Sequence, residues 1–205
     1  MIAVLDYGIG NLRSAEKALQ RVGGDAHLIA DPGEALRADG VVLPGVGAFG
    51  RCMEALQASG LAKVVLEAVE AGTPFLGICI GMQLLYEGSD EDPAVPGLGV
   101  LHGTITLLPE GVKRPQMQWN ELQIRRAGSG LLDGMGSQPW VYFVHSYAPP
   151  HSDDVVATCD YGGPVVAAVE RGPLWATQFH PEKSGTAGLQ LLANFVAACG
   201  PAGWS

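Results

Sequence analysis

The run P74-F75-L76-G77-I78-C79-I80-G81-M82-Q83 decides how the rest of the chain is read. Its first half, PFLGIC, is a short apolar stretch with the composition of a buried strand, and its second half opens the segment GMQLLYE. Between them, G77-I78-C79-I80-G81 has the form of a nucleophile elbow. In such a turn the reactive side chain sits at the exposed end of a strand, small neighbours relieve crowding, and the next helix offers its N-terminal amides. Cysteine suits the position because the positive end of a helix dipole and a nearby imidazolium favour the thiolate, which is the reactive form. Taken alone the pattern leaves a second reading open. Free cysteine is also among the most buried residue types, and glycines at a strand end are ordinary turn chemistry.

Upstream of this run, strand and helix alternate. IAVLDY reads as a first strand, and Asn11 is a good N-cap for LRSAEKALQRV, where Leu12, Ala15, Leu19 and Val22 share one helical face. DAHLIA and VVLP read as the second and third strands, LAKVVLEAVEAG as a helix closed by Gly72, and PFLGIC as the fourth strand. Parallel strands with crossover helices follow from that alternation. Downstream, GVLHGTITLLP, QWNELQIRR, WVYFVHSY, DDVVATCDY, PVVAAVERG and LWATQFH are β-rich runs separated by Gly and Pro, which predicts mostly antiparallel or mixed sheet. TAGLQLLANFVAAC then spaces its apolar residues as a closing helix.

The composition agrees with an α/β enzyme. Apolar residues make up 47% of the 205, there are 29 glycines, and 16% are charged, a balance unlike a coiled coil or a disordered chain. No repeat or linker divides the sequence, so one domain over residues 1–205 is expected. A net charge of -9 without a basic cluster argues against nucleic acid as a ligand. The four cysteines, Cys52, Cys79, Cys159 and Cys199, form no C-x-x-C pair, so reducing cytosol is the expected compartment. The opening MIAVLDYG has no basic leader and meets Asp6 early, reading as a buried strand rather than a signal peptide. The uncharged stretch from Ala71 to Tyr86 is too short and too broken by Pro74, Gly77 and Gly81 to span a membrane.

A second chemical signal is Q178-F179-H180-P181-E182. If the stretch stays extended, His180 and Glu182 point to one side, where the carboxylate can fix the imidazole tautomer and stabilise the imidazolium. An isolated H-P-E is as easily a surface ion pair at a turn. Paired with the elbow, it becomes a base and its orienter. G45-V46-G47-A48-F49-G50 matches the dinucleotide-binding G-x-G-x-x-G, but the next strand ends in Cys79 rather than an acidic ribose ligand. That loop has another use, because its backbone can approach a carbonyl oxygen and, with the amide of Ile80, form an oxyanion hole.

L43-P44-G45-V46-G47-A48-F49, G77-I78-C79-I80-G81-M82-Q83-L84 and Q178-F179-H180-P181-E182-K183-S184 resemble the three signature segments of class I glutamine amidotransferases. D6-Y7-G8-I9-G10-N11-L12 and F143-V144-H145-S146-Y147 narrow the resemblance to the glutaminase subunits of imidazole glycerol phosphate synthases, over essentially the whole chain. The resemblance implies a flavodoxin-like α/β domain with a central mixed sheet flanked by helices. It implies that Cys79 attacks the side-chain amide of L-glutamine, with His180 as acid/base and Glu182 as orienter. The amides of Val46 and Ile80 would hold the oxyanion, and Gly47, Gln83, His145, Ser146 and Tyr147 would surround the substrate. It further implies a (β/α)8-barrel cyclase as partner in a cytoplasmic heterodimer, facing Asn11, Trp119, Asn120 and Lys183. This chain is too short for such a barrel itself. One departure stands out: Gln118 occupies a position before W119-N120 where the family usually has glycine. No cofactor is implied, and His27, His102 and His151 form no metal-ligand pattern. The competing expectations are the glutaminase of another class I amidotransferase and a cysteine peptidase on a related fold.

Overall fold

The computed structural model describes residues 1–200. The first half contains the strands β1 (Ile2–Leu5), β2 (Ala26–Ile29), β3 (Gly40–Gly45) and β4 (Phe75–Cys79). They are joined through the helices α1 (Leu12–Arg21), α2 (Pro32–Ala35), α3 (Phe49–Ala58) and α4 (Leu61–Glu70). A single helical turn, α5 (Ile80–Gln83), follows β4 directly. The second half carries β5 (Gly88–Ser89), β6 (Thr104–Leu107), β7 (Gln116–Glu121), β8 (Gln123–Ile124), β9 (Trp140–His145) and β10 (Tyr147–Ala148). It continues with β11 (Val155–Asp160), β12 (Pro164–Arg171) and β13 (Leu174–Thr177), then a 3-10 turn (Pro181–Lys183) and the closing helix α6 (Gly185–Ala198).

One eight-stranded sheet organises the molecule in the order β2-β1-β3-β4-β13-β12-β11-β8. The five strands from β2 to β13 are parallel, and β12, β11 and β8 extend the sheet antiparallel. The parallel part has the 2-1-3-4-5 order of flavodoxin-like folds, with β13 in fifth place. β1, β3, β4 and β13 are buried at every position, as strands covered by helices on both faces must be. The sequence expectation of a parallel start followed by a mixed sheet therefore holds, but β13 leaves the antiparallel half to pair in parallel with β4. Two smaller sheets, β7-β9 and β10-β6-β5, stand apart from the main one.

Two local expectations need correction. Asn11 occupies the N-cap position of α1, but its side chain makes no capping hydrogen bond. The glycine loop read over 45–50 ends early, because Phe49 and Gly50 already belong to helix α3, where Phe49, Cys52, Met53 and Leu56 bury one face at helical spacing. No helix among the described residues is long and apolar enough to cross a membrane.

Candidate active site

Cys79 ends β4 with φ 55° and ψ -109°, and among the described residues it is the one non-glycine with positive φ. Holding a β-carbon in that region costs on the order of 1–3 kcal/mol, a strain that persists only where the surroundings over-determine it. Missing side chains supply that determination. A Cβ on Gly81 would lie 1.8 Å from the Leu43 carbonyl oxygen, and one on Gly77 would lie 3.0 Å from the Gly81 carbonyl oxygen. The elbow can therefore fold back tightly between the ends of β3 and β13, where Gly45 pairs with Cys79 and Thr177 with Ile78. The helix behind the nucleophile is the single turn α5, shorter than the run GMQLLYE suggests.

His180 follows β13, which ends at Thr177. Beyond it the chain does not stay extended: His180 is extended, but Pro181–Lys183 form the 3-10 turn. That turn, not strand alternation, brings Glu182 beneath the imidazole, with Nδ1 and Oε1 2.8 Å apart and both side chains almost fully buried. Proline at the first turn position suits the geometry. Ser184 secures the turn by accepting from the Tyr142 amide at 3.0 Å and donating to the His180 carbonyl at 2.6 Å. Burial disfavours a charged ring, but Cys79 and Glu182 outweigh it and hold the His180 pKa well above its ordinary value. His180 Nε2 has no hydrogen-bond partner, so Cys79 lies close enough to act on the ring without being aligned to it. Catalytic hydrogen bonds are often this loose before substrate binds.

Cys79 and His180 open onto a cleft of about 270 Å³. Val46, Gly47 and Ile80 form one wall, and Gln83, His145, Ser146 and Tyr147 form another, so the sequence-predicted substrate and oxyanion positions share one cavity. The volume is at the low end for ligand pockets and suits a single small molecule. Buried donors hold the glycine loop from below, with Tyr7 Oη donating to the Pro44 carbonyl at 2.8 Å and Cys52 Sγ to the Val46 carbonyl at 3.4 Å. Gly47 has φ 109° and open space where a Cβ would stand, so its need for glycine lies in the backbone angle rather than in crowding.

The cleft walls differ in what they can offer. His145 is buried with both ring nitrogens occupied, Nδ1 by the Tyr147 carbonyl at 2.8 Å and Nε2 by the Gln116 side chain at 3.0 Å. Burial lowers its pKa to about 4, so the ring is neutral at ordinary pH. Gln83 is buried rather than solvent-facing. Its Nε2 donates to the Tyr147 carbonyl and to Gln178 Oε1, each at 3.0 Å, while its own Oε1 is without a partner. Sequence reasoning missed Glu91, the carboxylate on the cleft wall, whose Oε2 accepts from the Phe49 amide at 2.9 Å. It lies in an irregular segment without a motif, and nothing in its neighbours points to it.

The four positions matched to a partner surface are spread around the His-Pro-Glu turn. Trp119 is 47% exposed, packs edge-on against Tyr142, and shares a second cavity with Ser184 and Gly185. Lys183 is exposed on the turn itself, and Asn11 is exposed at the start of α1, which touches that turn. The Asn120 side chain is instead occupied, donating to the Asp160 carbonyl and accepting from the Glu121 amide. Gln118 points out of the β7-β9 ribbon into solvent. Among the described residues no group of His, Cys, Asp and Glu could hold a metal ion.

A strained cysteine at a strand end, beside a buried His–Glu pair on an amino-acid-sized cleft, is the arrangement of a cysteine-nucleophile enzyme. The model of the class-I glutamine amidotransferase family matches residues 3–199, and the chain belongs to that family. Within it, the chain is similar to the imidazole glycerol phosphate synthase subunit HisH of several organisms. It is 49% identical to that of Synechococcus sp. (strain JA-2-3B'a(2-13)) over 98% of this chain and 95% of the relative. It is 50% identical to that of Methanothermobacter thermautotrophicus over 96% of this chain and 98% of the relative. The fold matches a crystal structure of a glutamine amidotransferase with TM-score 0.75 at 21% identity, over 96% of this chain and 98% of that one. It also matches the structure of PurLQS from Thermotoga maritima with TM-score 0.72 at 20% identity, over 95% and 96%.

Proposed function

We propose that residues 1–205 form a single glutaminase domain that releases ammonia from L-glutamine for a cyclase partner in histidine biosynthesis, in a cytoplasmic heterodimer. The observation that carries this reading is the convergence of Cys79 and His180 on one cleft, with Glu182 buried behind the imidazole. The Cys79 thiolate attacks the carboxamide carbon, and the amides of Val46 and Ile80 take the charge that develops on oxygen. Ile80 opens α5, where an N–H has no partner inside the helix. Collapse of the adduct expels ammonia with a proton from His180 and leaves a γ-glutamyl thioester. Water, deprotonated by His180, then hydrolyses the thioester to glutamate and restores the thiol. Glu182 keeps Nδ1 protonated and the ring in place throughout. Gly47, Gln83, Ser146 and Tyr147 contact the substrate, with Gln83 Oε1 as an acceptor for its amide or ammonium hydrogens. Glu91 supplies negative charge for the α-ammonium. His145, with both nitrogens committed, shapes the wall rather than bonding to the ligand.

The ammonia is consumed by a (β/α)8-barrel cyclase that makes imidazole glycerol phosphate and aminoimidazole carboxamide ribotide, a lyase reaction for the assembled pair. Asn11, Trp119, Asn120 and Lys183 form the docking rim. Cys79→Ala is expected to abolish glutamine hydrolysis while the assembled pair still cyclises with free ammonium, and retained glutaminase activity would overturn the assignment. Activity on free glutamine but not on glutaminyl peptides separates this reading from a peptidase. Lys183→Ala is expected to lower the ratio of imidazole product to glutamate released. An unchanged ratio in the assembled pair removes Lys183 from the rim.

A further inference from the structure

Gln178 precedes the His-Pro-Glu turn and has no exposed surface, yet its amide reaches the nucleophile, with Nε2 3.7 Å from Cys79 Sγ. Its Oε1 accepts from Gln83 Nε2 at 3.0 Å, and the same Gln83 nitrogen donates to the Tyr147 backbone carbonyl at 3.0 Å. A carbonyl can only accept, so the far end of this chain has a fixed polarity. Turning Gln83 would set its oxygen against the Tyr147 oxygen. Turning Gln178 alone would set its NH2 against that of Gln83. One arrangement keeps every contact along the chain donor-to-acceptor, leaving Gln83 Oε1 toward the cleft, and it presents an N–H to the sulfur.

We infer that Gln178 is a positioning residue for the nucleophile, its N–H aimed at Cys79 Sγ by the Tyr147–Gln83 chain so that the thiolate is favoured over the thiol. The inference rests on Cys79 being the nucleophile. A donor to sulfur stabilises the anion more than the thiol, whose Sγ lies 3.9 Å from the Val144 carbonyl oxygen, at the outer limit of hydrogen bonding. Also near Cys79 are His180, backed by Glu182, the neutral Tyr7 and Cys52, and Glu91 on the shared cleft wall; His145 acts on His180 from the cleft side. Because the chain begins at Tyr147, beside the substrate cleft, it also ties the nucleophile to the segment the substrate touches.

The test is the pH dependence of Cys79 alkylation by iodoacetamide between about pH 5 and 10, with mass mapping to separate Cys79 from the other three cysteines. Gln178→Met, similar in length and without a donor, is expected to move the midpoint upward by about one pH unit, with about tenfold slower labelling below it. Glutamine turnover should fall in parallel. Gln83→Met frees Gln178 to turn and is expected to shift the midpoint in the same direction by less. An unchanged midpoint in folded Gln178→Met overturns the inference, and if that variant does not fold, an unchanged midpoint in Gln83→Met does so. Persistence of glutaminase activity in Cys79→Ala would instead remove the nucleophile assignment beneath it.

Discussion

The two halves of the candidate active site are held by opposite means. On the β4 side, the nucleophile is positioned by backbone strain and by side chains that are absent: Cys79 at φ 55°, Gly81 against the Leu43 carbonyl, Gly77 against Gly81. On the β13 side, His180 is positioned by side chains that are present: Glu182 on Nδ1, and Ser184 bridging Tyr142 and His180. A strained backbone either closes or does not, so damage to the elbow should be all-or-none. A hydrogen-bonded turn loses one contact at a time, so damage there should be graded.

The largest expected effect tests the first half of that contrast. Gly81→Ala places a methyl 1.8 Å from a backbone oxygen that has no freedom to withdraw, and a loss of more than about 4 kcal/mol is expected. Urea unfolding measures it, and a folded, active Gly81→Ala enzyme would break the comparison. Next in size is Glu182→Gln, which keeps an acceptor for Nδ1–H but removes the charge that stabilises the imidazolium. Turnover is expected to fall on the order of a hundredfold, short of the loss in Cys79→Ala, with the fold intact. Single-turnover kinetics would check it, and a loss as complete as that of Cys79→Ala would make Glu182 more than an orienter.

The smallest effect concerns pH. His145 titrates near 6.5 when unfolded and near 4 when folded, so the unfolded chain binds the extra proton first and acid favours unfolding. The stability that neutral His145 lends is complete above about pH 6.5 and is lost as pH falls toward 4. Between pH 7 and 5.5 it accounts for about 1 kcal/mol. His180, shifted the other way, gains stability over the same interval, so urea titrations at both pH values should show wild type losing about 1 kcal/mol more than His145→Asn. Equal losses would place the acid sensitivity elsewhere.

The same contrast governs what the sequence disclosed. Motifs made of glycines and a cysteine are local, so the elbow and the parallel strands that precede it were readable in the sequence, whereas the parallel pairing of β13 with β4 was not. The His–Glu pair was readable too, but for the wrong geometric reason: Pro181 opens a 3-10 turn where alternation along a strand was expected. The start of helix α3 at Phe49 was masked by the glycine spacing of G45–G50, although Phe49, Cys52, Met53 and Leu56 carried its period. The link from Gln83 to Gln178 spans 95 residues and leaves no trace in either segment alone. Glu91 is placed by where its loop folds, which no single-sequence pattern encodes.

The parallel pairing of β13 with β4 gives the chain a timetable. The nucleophile is in place about a hundred residues before its base, and β4 keeps one edge unpaired until Leu174–Thr177 arrive. During synthesis from the N-terminus, the elbow can form early on β3, but the His-Pro-Glu turn emerges near the end of the chain. A ribosome-bound or truncated product therefore carries a thiol with no partner to deprotonate it or to protonate a leaving amine. On the proposed roles of Cys79 and His180, an unfinished copy would make no ammonia, and the insertion of one four-residue strand both completes the sheet and brings the two side chains together.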